Sequence, residues 1–212
     1  MEIGTIAAIW RYPVKALAAE RLHEAHILAD GLDGDRTAAL VVETPSHARA
    51  GKPFRGKESN RLHLTADPET AASYAADDGV TVSLDRTQGR YFDAAPVSLL
   101  FDLWVADVEA LTGTSLDPLR FRPNIFVSAA RGFTAREADL TGAVLRAGSV
   151  VLRVAGPTER CITPNFDIAT GAPGPDVLRA VAQHRAAWVG VYCDVVEPGT
   201  IEVGDALRRS ER

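Results

Sequence analysis

Trp188-Val189-Gly190-Val191-Tyr192-Cys193-Asp194-Val195-Val196, then Pro198-Gly199, then Thr200-Ile201-Glu202-Val203, is the stretch that decides the fold class. Val189, Val191, Cys193 and Val195 recur at every second residue, the period of a strand with one face in a core. Pro198-Gly199 breaks the run as a turn, and a shorter strand follows. The same grammar holds elsewhere. Val144-Leu145 and Val150 to Val154 flank Ala147-Gly148-Ser149, which reads as a hairpin. Ile3 to Trp10, Arg36 to Val42, Thr81 to Leu84 and Asn124 to Ser128 are further strand candidates. Many short strands separated by Gly- and Pro-rich turns predict a mainly β (α+β) fold, a barrel or a sandwich with a few short helices.

Three helices are expected. Asp67 with Pro68 behind it is an N-cap and first-turn pair, and the helix runs to Ala76. A second spans Ser98 to Leu111, with Leu100, Leu103, Trp104, Val108 and Leu111 on one face and Gly113 as its stop. A third spans Pro175 to His184, with Leu178, Val181 and Ala182 inward. Thr44 to Asn60 is polar and reads as a long loop, a kind of segment that is often functional. A weak boundary near Tyr91 to Pro96 divides the chain into residues 1–92 and 93–212, expected to form one compact unit.

The 212 residues carry a net charge of −5. A basic face is therefore not expected, which argues against general nucleic-acid or membrane-surface binding. Lysine is confined to Lys15, Lys52 and Lys57, so arginine supplies nearly all positive charge and with it a planar fork for anions. No apolar run approaches the roughly 18 residues needed to cross a bilayer. The acidic, strand-like start at Met1-Glu2-Ile3-Gly4 does not read as a signal segment. Two cysteines are too few for a disulfide scaffold, and a cytoplasmic protein with reduced thiols is expected.

The two thiols read differently. Cys193 falls on the core face of its strand, the usual place of an inert thiol. Cys161 lies in Gly156-Pro157-Thr158-Glu159-Arg160-Cys161-Ile162-Thr163-Pro164, read as an irregular loop after a strand end. Two prolines stiffen it, and Arg160 favours a thiolate that could act as nucleophile or soft metal ligand. A buried structural thiol is the competing reading. Tyr12-Pro13-Val14-Lys15, Gly34-Asp35-Arg36 and Arg120-Phe121-Arg122-Pro123-Asn124 each place a cation or amide at a strand end, a set that suits an anion with several acceptor oxygens. Singly, each reads as a solvated charge. Arg55-Gly56-Lys57-Glu58 could reach a phosphate but reads slightly better as solvated loop. Asp30, Asp33 and Asp35 form a turn rather than a calcium loop, since no glutamate closes the pattern. Nucleotide-loop, serine-hydrolase and zinc-protease signatures are absent, and His23, His26, His47, His63 and His184 are scattered. A cysteine hydrolase pairing Cys161 with a histidine therefore has no local signature behind it.

Taken in order, these pieces resemble the MOSC family, named for the C-terminal domain of molybdenum cofactor sulfurase, preceded by that family's N-terminal β-barrel region. The matching stretches are Tyr12 to Lys15, Gly31 to Arg36, Asp93 to Leu100, Arg120 to Asn124, Arg160 to Pro164 with Asp167 and Thr170-Gly171, and Gly190 to Tyr192 through Asp205. The resemblance implies a closed or distorted β-barrel and a bound molybdenum cofactor, Mo-molybdopterin. By similarity to the mitochondrial amidoxime-reducing component, Cys161 ligates the metal. Lys15 and Arg36 help hold the pterin and its phosphate, Arg122 and Asn124 fall on matching cofactor-binding positions, and Arg160 flanks the metal ligand. The implied activity is two-electron reduction of small N-hydroxylated or related N–O substrates. A non-catalytic cofactor or sulfur carrier is the alternative. No iron–sulfur domain is fused within these residues, so electrons are expected from a separate donor protein. One departure stands out. Relatives often place serine two residues before the cysteine, whereas here Glu159 either alters the charge near the metal or pairs with Arg160.

Overall fold

Seven strands close into a ring. In the computed structural model, which describes residues 1–44 and 49–210, the strands in chain order are β1 (Glu2–Arg11), β2 (Glu20–Leu22), β3 (Glu24–Leu28), β4 (Gly31–Leu32), β5 (Ala39–Thr44), β6 (Thr81–Asp85), β7 (Val97–Phe101), β8 (Ile125–Ala129), β9 (Val144–Ala147), β10 (Val150–Glu159), β11 (Trp188–Glu197), β12 (Gly199–Glu202) and β13 (Ala206–Arg209). The helices are α1 (Pro68–Asp77), α2 (Asp102–Thr112) and α3 (Val177–His184). The spatial order is β13-β9-β10-β11-β7-β8-β1, and β1 pairs back onto β13 to complete the barrel, with β2 appended to β1. The first strand of the chain is thus a stave of the barrel built by residues 97–209.

An odd number of staves cannot alternate direction all the way round, so at least one neighbouring pair must run parallel. That pair is β7–β8, with Leu99 opposite Ile125. A parallel pair needs a crossover rather than a hairpin, and α2 supplies it. Closure leaves no open edge among these seven strands.

The barrel core is apolar: Ile3, Ile6, Val97, Leu99, Phe101, Trp104, Val127, Leu152 and Val191 are all buried. Trp104 meets Phe101 edge-on at 4.9 Å between centroids, and its indole N–H donates to Ala135 O at 2.9 Å. A second, smaller core gathers Val14, Leu17, Leu40, Val42, Phe54, Leu62, Ala71, Ala75 and Val80 under the antiparallel β5–β6 pair and α1.

Several expectations need correction. Ser98 to Phe101 is strand, not helix, because all five residues of β7 are buried within the barrel wall; a continuous apolar run does not distinguish the two. The helix begins at Asp102, whose carboxylate accepts from Leu103 N at 2.7 Å and Ala129 N at 3.0 Å and so fixes the switch from strand to helix. Gly113 ends it in a left-handed conformation (φ 67°) as expected. In α3, Val177 rather than Ala182 faces inward beside Val181. The strand expected from Arg36 starts only at Ala39, because Arg36 itself is left-handed (φ 48°). The strand before Cys161 does not end at Val154. It continues as β10 to Glu159, with register shifts that accommodate Gly156 and Pro157. Asp67 caps α1 as expected, accepting from Glu69 N and Thr70 N. Of the Thr44–Asn60 loop, residues 45–48, including His47, lie outside the described residues. The rest is pinned by Phe54, buried in the second core with its N–H on Leu40 O at 2.7 Å.

Candidate functional site

Between the two cores lies a cleft of about 300 Å³, near the lower end of the range for small-molecule sites. One side comes from the segment around the smaller core, including Lys15, Arg36, Arg55 and His63. The other comes from the barrel, including Arg122, Arg160, Cys161 and Tyr192. The sequence-predicted cations Lys15, Arg36, Arg122 and Arg160, separated by up to 145 positions in the chain, therefore share one cavity with Cys161. Asn124 does not line it. It is buried behind the wall, where its Oδ1 accepts from Ser98 N at 3.1 Å and Arg36 Nη1 at 3.3 Å and its Nδ2 donates to Trp10 O at 3.2 Å. Its place is that of a brace for Arg36.

Arg36 and Arg122 meet on one aromatic ring. Their guanidinium carbons sit 4.7 and 4.2 Å from the centroid of buried Tyr12. Tyr12 donates its hydroxyl to Pro123 O at 3.1 Å, and its backbone N–H goes to buried Asp35 at 2.7 Å. Burial pushes the Tyr12 phenol up to about 12 against the pull of the two cations, so the ring stays neutral. Arg36 is ion-paired with Asp35. Arg122 has no carboxylate partner among the described residues and donates to Leu17 O at 2.7 Å; burial lowers its pKa. Both arginines have left-handed backbones (φ 48° and 52°), conformations that cost non-glycine residues of order 1–3 kcal/mol and cluster at functional sites.

Arg160 is also without a carboxylate among the described residues. Its Nε donates to Val189 O and its Nη1 to Phe121 O, both at 2.7 Å. It does not pair with Glu159. Burial, chiefly, pulls its pKa down to about 10. Gly190 makes room for it: a Cβ there would stand 2.9 Å from Arg160 Nη2, and the backbone is left-handed (φ 89°). Lys15 is ion-paired with Asp93. In total, seven Lys and Arg side chains but only two carboxylates, Asp93 and Glu159, line the cleft, which favours an anionic occupant.

The Cys161 thiol is exposed at this cleft, 3.1 Å from the Thr163 hydroxyl. Its backbone is anchored one residue earlier, where Arg160 N donates to Ala187 O at 2.8 Å. Cys193 is the opposite case, free but sealed in the barrel core, with burial pushing its thiol up to about 12. Thr158, on β10 and buried, lines the cleft with an Oγ1 that finds no hydrogen-bond partner among the described residues. An orphaned buried hydroxyl costs about 1–3 kcal/mol, and a ligand oxygen or nitrogen would satisfy it. An exposed thiol, unbalanced guanidinium charge and this orphaned hydroxyl fit a phosphorylated cofactor whose metal takes a sulfur ligand. No cluster of three or more His, Cys, Asp or Glu side chains suited to a metal occurs among the described residues, so protein ligation there would rest on the single thiolate.

Other lining residues were less legible. Tyr192 was readable from strand parity, since it alternates with the core residues Val191 and Cys193 and must face outward. His63, whose Nε2 donates to Asp167 O at 2.8 Å, and Arg120, paired with Asp167 at 2.9 Å, are brought in by long-range packing. Arg55, Gly56 and Lys57 do line the cleft rather than merely facing solvent, with Arg55 held by Glu58 at 2.7 Å.

One solved structure among those compared shares this architecture. The YuaD protein from Bacillus subtilis has a similar crystal structure, with a TM-score of 0.60 at 15% identity, covering 99% of this chain and 97% of that one. YiiM from Escherichia coli reaches 0.48 at 12% identity over 100% of this chain and 71% of that one, and YiiM from Geobacillus stearothermophilus 0.43 at 23% identity over 55% of each chain. No curated protein matches the chain. No helix among the described residues is long and apolar enough to cross a membrane. Residues 86–208 match the MOSC domain, a domain associated with binding of the molybdenum cofactor. On that match, which spans more than half of its length, the chain belongs to the MOSC domain family.

Proposed function

We propose that this protein is a molybdenum-cofactor-dependent oxidoreductase that reduces N-hydroxylated or related N–O compounds. The observation that carries the reading is the exposed Cys161 thiol in a cleft where Arg122 and Arg160 lack carboxylate partners among the described residues. Cys161 would ligate the metal, and when bound the cofactor would supply the two-electron exchange. Lys15, Arg36 and Arg122 would hold its phosphate and pterin, with Tyr12 and Asn124 fixing the two arginines and the Thr158 hydroxyl contributing a hydrogen bond. Arg160 would lock the Cys161 segment against β11. Reducing an N-hydroxyl group to N–H takes up two electrons and two protons and releases water. The electrons would come from a separate donor protein, and the substrate is a small molecule. Localisation in the cytoplasm is part of the same proposal.

The test is product formation. Purified molybdenum-loaded protein is mixed with reduced viologen and benzamidoxime, and benzamidine is measured. The reading expects benzamidine at one molecule per two electrons consumed. Loaded protein that forms none with any N–O substrate would favour a second reading, a carrier that accepts and passes on the cofactor or a persulfide sulfur. The observation on the side of that reading is the exposure of Cys161, which leaves the sulfur accessible to another protein.

A further inference from the structure

The last residue of β10, Glu159, lies directly opposite the first residue of β11, Trp188. Opposed residues of an antiparallel pair project to one face with their Cβ atoms about 5 Å apart. Both are exposed, Trp188 at 37%. Glu159 lines the cleft two residues before Cys161. Among the described residues its carboxylate takes no ion pair or hydrogen bond, although seven cationic side chains line the same cleft. Those nearest in sequence or charge are engaged elsewhere: Arg160 on the Val189 and Phe121 carbonyls, Arg120 with Asp167, Lys15 with Asp93. The Trp188 indole likewise has no ring, cation or hydrogen-bond partner among the described residues.

The turn that presents Trp188 is strained. Ala186 and Ala187 are consecutive left-handed residues (φ 51° and 63°), neither of them glycine. They are held there by Ala187 N on Val181 O, by Trp188 N on Arg185 O and by Arg160 N on Ala187 O. The surrounding structure thus fixes a bare carboxylate, which lines the cleft two residues before Cys161, opposite a bare indole on the neighbouring strand. A carboxylate accepts two parallel N–H bonds from a planar cation, and an indole face attracts the same charge. A neutral amide lacks the charge and the second parallel donor, and an anion is repelled.

We propose that Glu159 and Trp188 form a recognition edge for a planar organic cation, an amidinium or guanidinium group, on a small molecule bound at the Cys161 cleft. The role in turnover rests on the reductase reading, in which reduction of a neutral N-hydroxyamidine yields water and an amidine, whose protonated form this edge would hold as product; the binding itself does not. The test is calorimetric titration of the purified protein with benzamidine and with its neutral counterpart benzamide, in wild type, Glu159→Gln and Trp188→Leu. Benzamidine is expected to bind at least about tenfold more tightly than benzamide, with that preference lost in Glu159→Gln and reduced in Trp188→Leu. Equal binding of the two probes, or a preference that survives Glu159→Gln, would overturn the proposal. Molybdenum content of the same wild-type sample separates the two ideas: metal without the preference removes this edge alone, and the preference without metal removes the cofactor reading alone.

Discussion

The Arg122 guanidinium lies 4.2 Å from the centroid of the Tyr12 ring, and Arg36 shares that ring at 4.7 Å. Two like charges are thereby held side by side without a second carboxylate, with Asp35 serving only Arg36. The ring, rather than the hydroxyl, is the part that positions them. Tyr12→Phe leaves the Pro123 carbonyl without its donor and is expected to cost about 1 kcal/mol while most phosphate affinity is retained. Tyr12→Leu removes the shared aromatic face and is expected to cost about 3 kcal/mol and weaken inorganic phosphate at least about tenfold. Urea unfolding and phosphate titration check both. Equal phosphate affinity in Tyr12→Leu and wild type would count against the platform role.

His63 predicts a pH dependence. Burial, chiefly, holds its imidazole below the ordinary 6.5. The folded state then binds this proton less readily than the unfolded chain. Stability from the neutral form is complete above 6.5 and is lost as pH falls through the depressed folded value. Urea midpoints for wild type should therefore decline below pH 6.5 more steeply than those of His63→Gln. Parallel profiles would show that the histidine does not contribute.

The two thiols should differ in reactivity. Cys161 is exposed, whereas Cys193 is sealed in the barrel and its thiol is pushed up to about 12. Iodoacetamide at neutral pH is expected to label the native protein once, at Cys161, and twice after denaturation. Native Cys161→Ser should resist labelling. Modification of native Cys193 would contradict the buried assignment.

The β-rich architecture could be read from the alternation in β11 and the β9–β10 hairpin, since period-two patterning is local. Its failures were local too. Val97 to Phe101 is apolar apart from Ser98 because both faces of β7 are covered, so its end from Ser98 on reads as the start of the following helix. Nothing in the neighbours of Arg36 announces a left-handed backbone, so the sequence there reads as strand. Cys161, Lys15, Arg36 and Arg122 could be picked out as chemistry-bearing residues, and the barrel with its second core brings them to one cleft. Asn124 could not be separated from them by sequence, since only packing puts it behind the wall. His63 reaches the cleft through a contact 104 positions along the chain and Arg120 through its pairing with Asp167, 47 positions on, and neither destination is announced by neighbouring residues.

Molybdenum analysis of protein produced in a molybdenum-replete host, compared between wild type and Cys161→Ser, bears most directly on the central claim. We expect near-stoichiometric metal in wild type and a large loss in Cys161→Ser, with the barrel intact by circular dichroism. Equal molybdenum in the two proteins would contradict the assignment of Cys161 as the metal ligand.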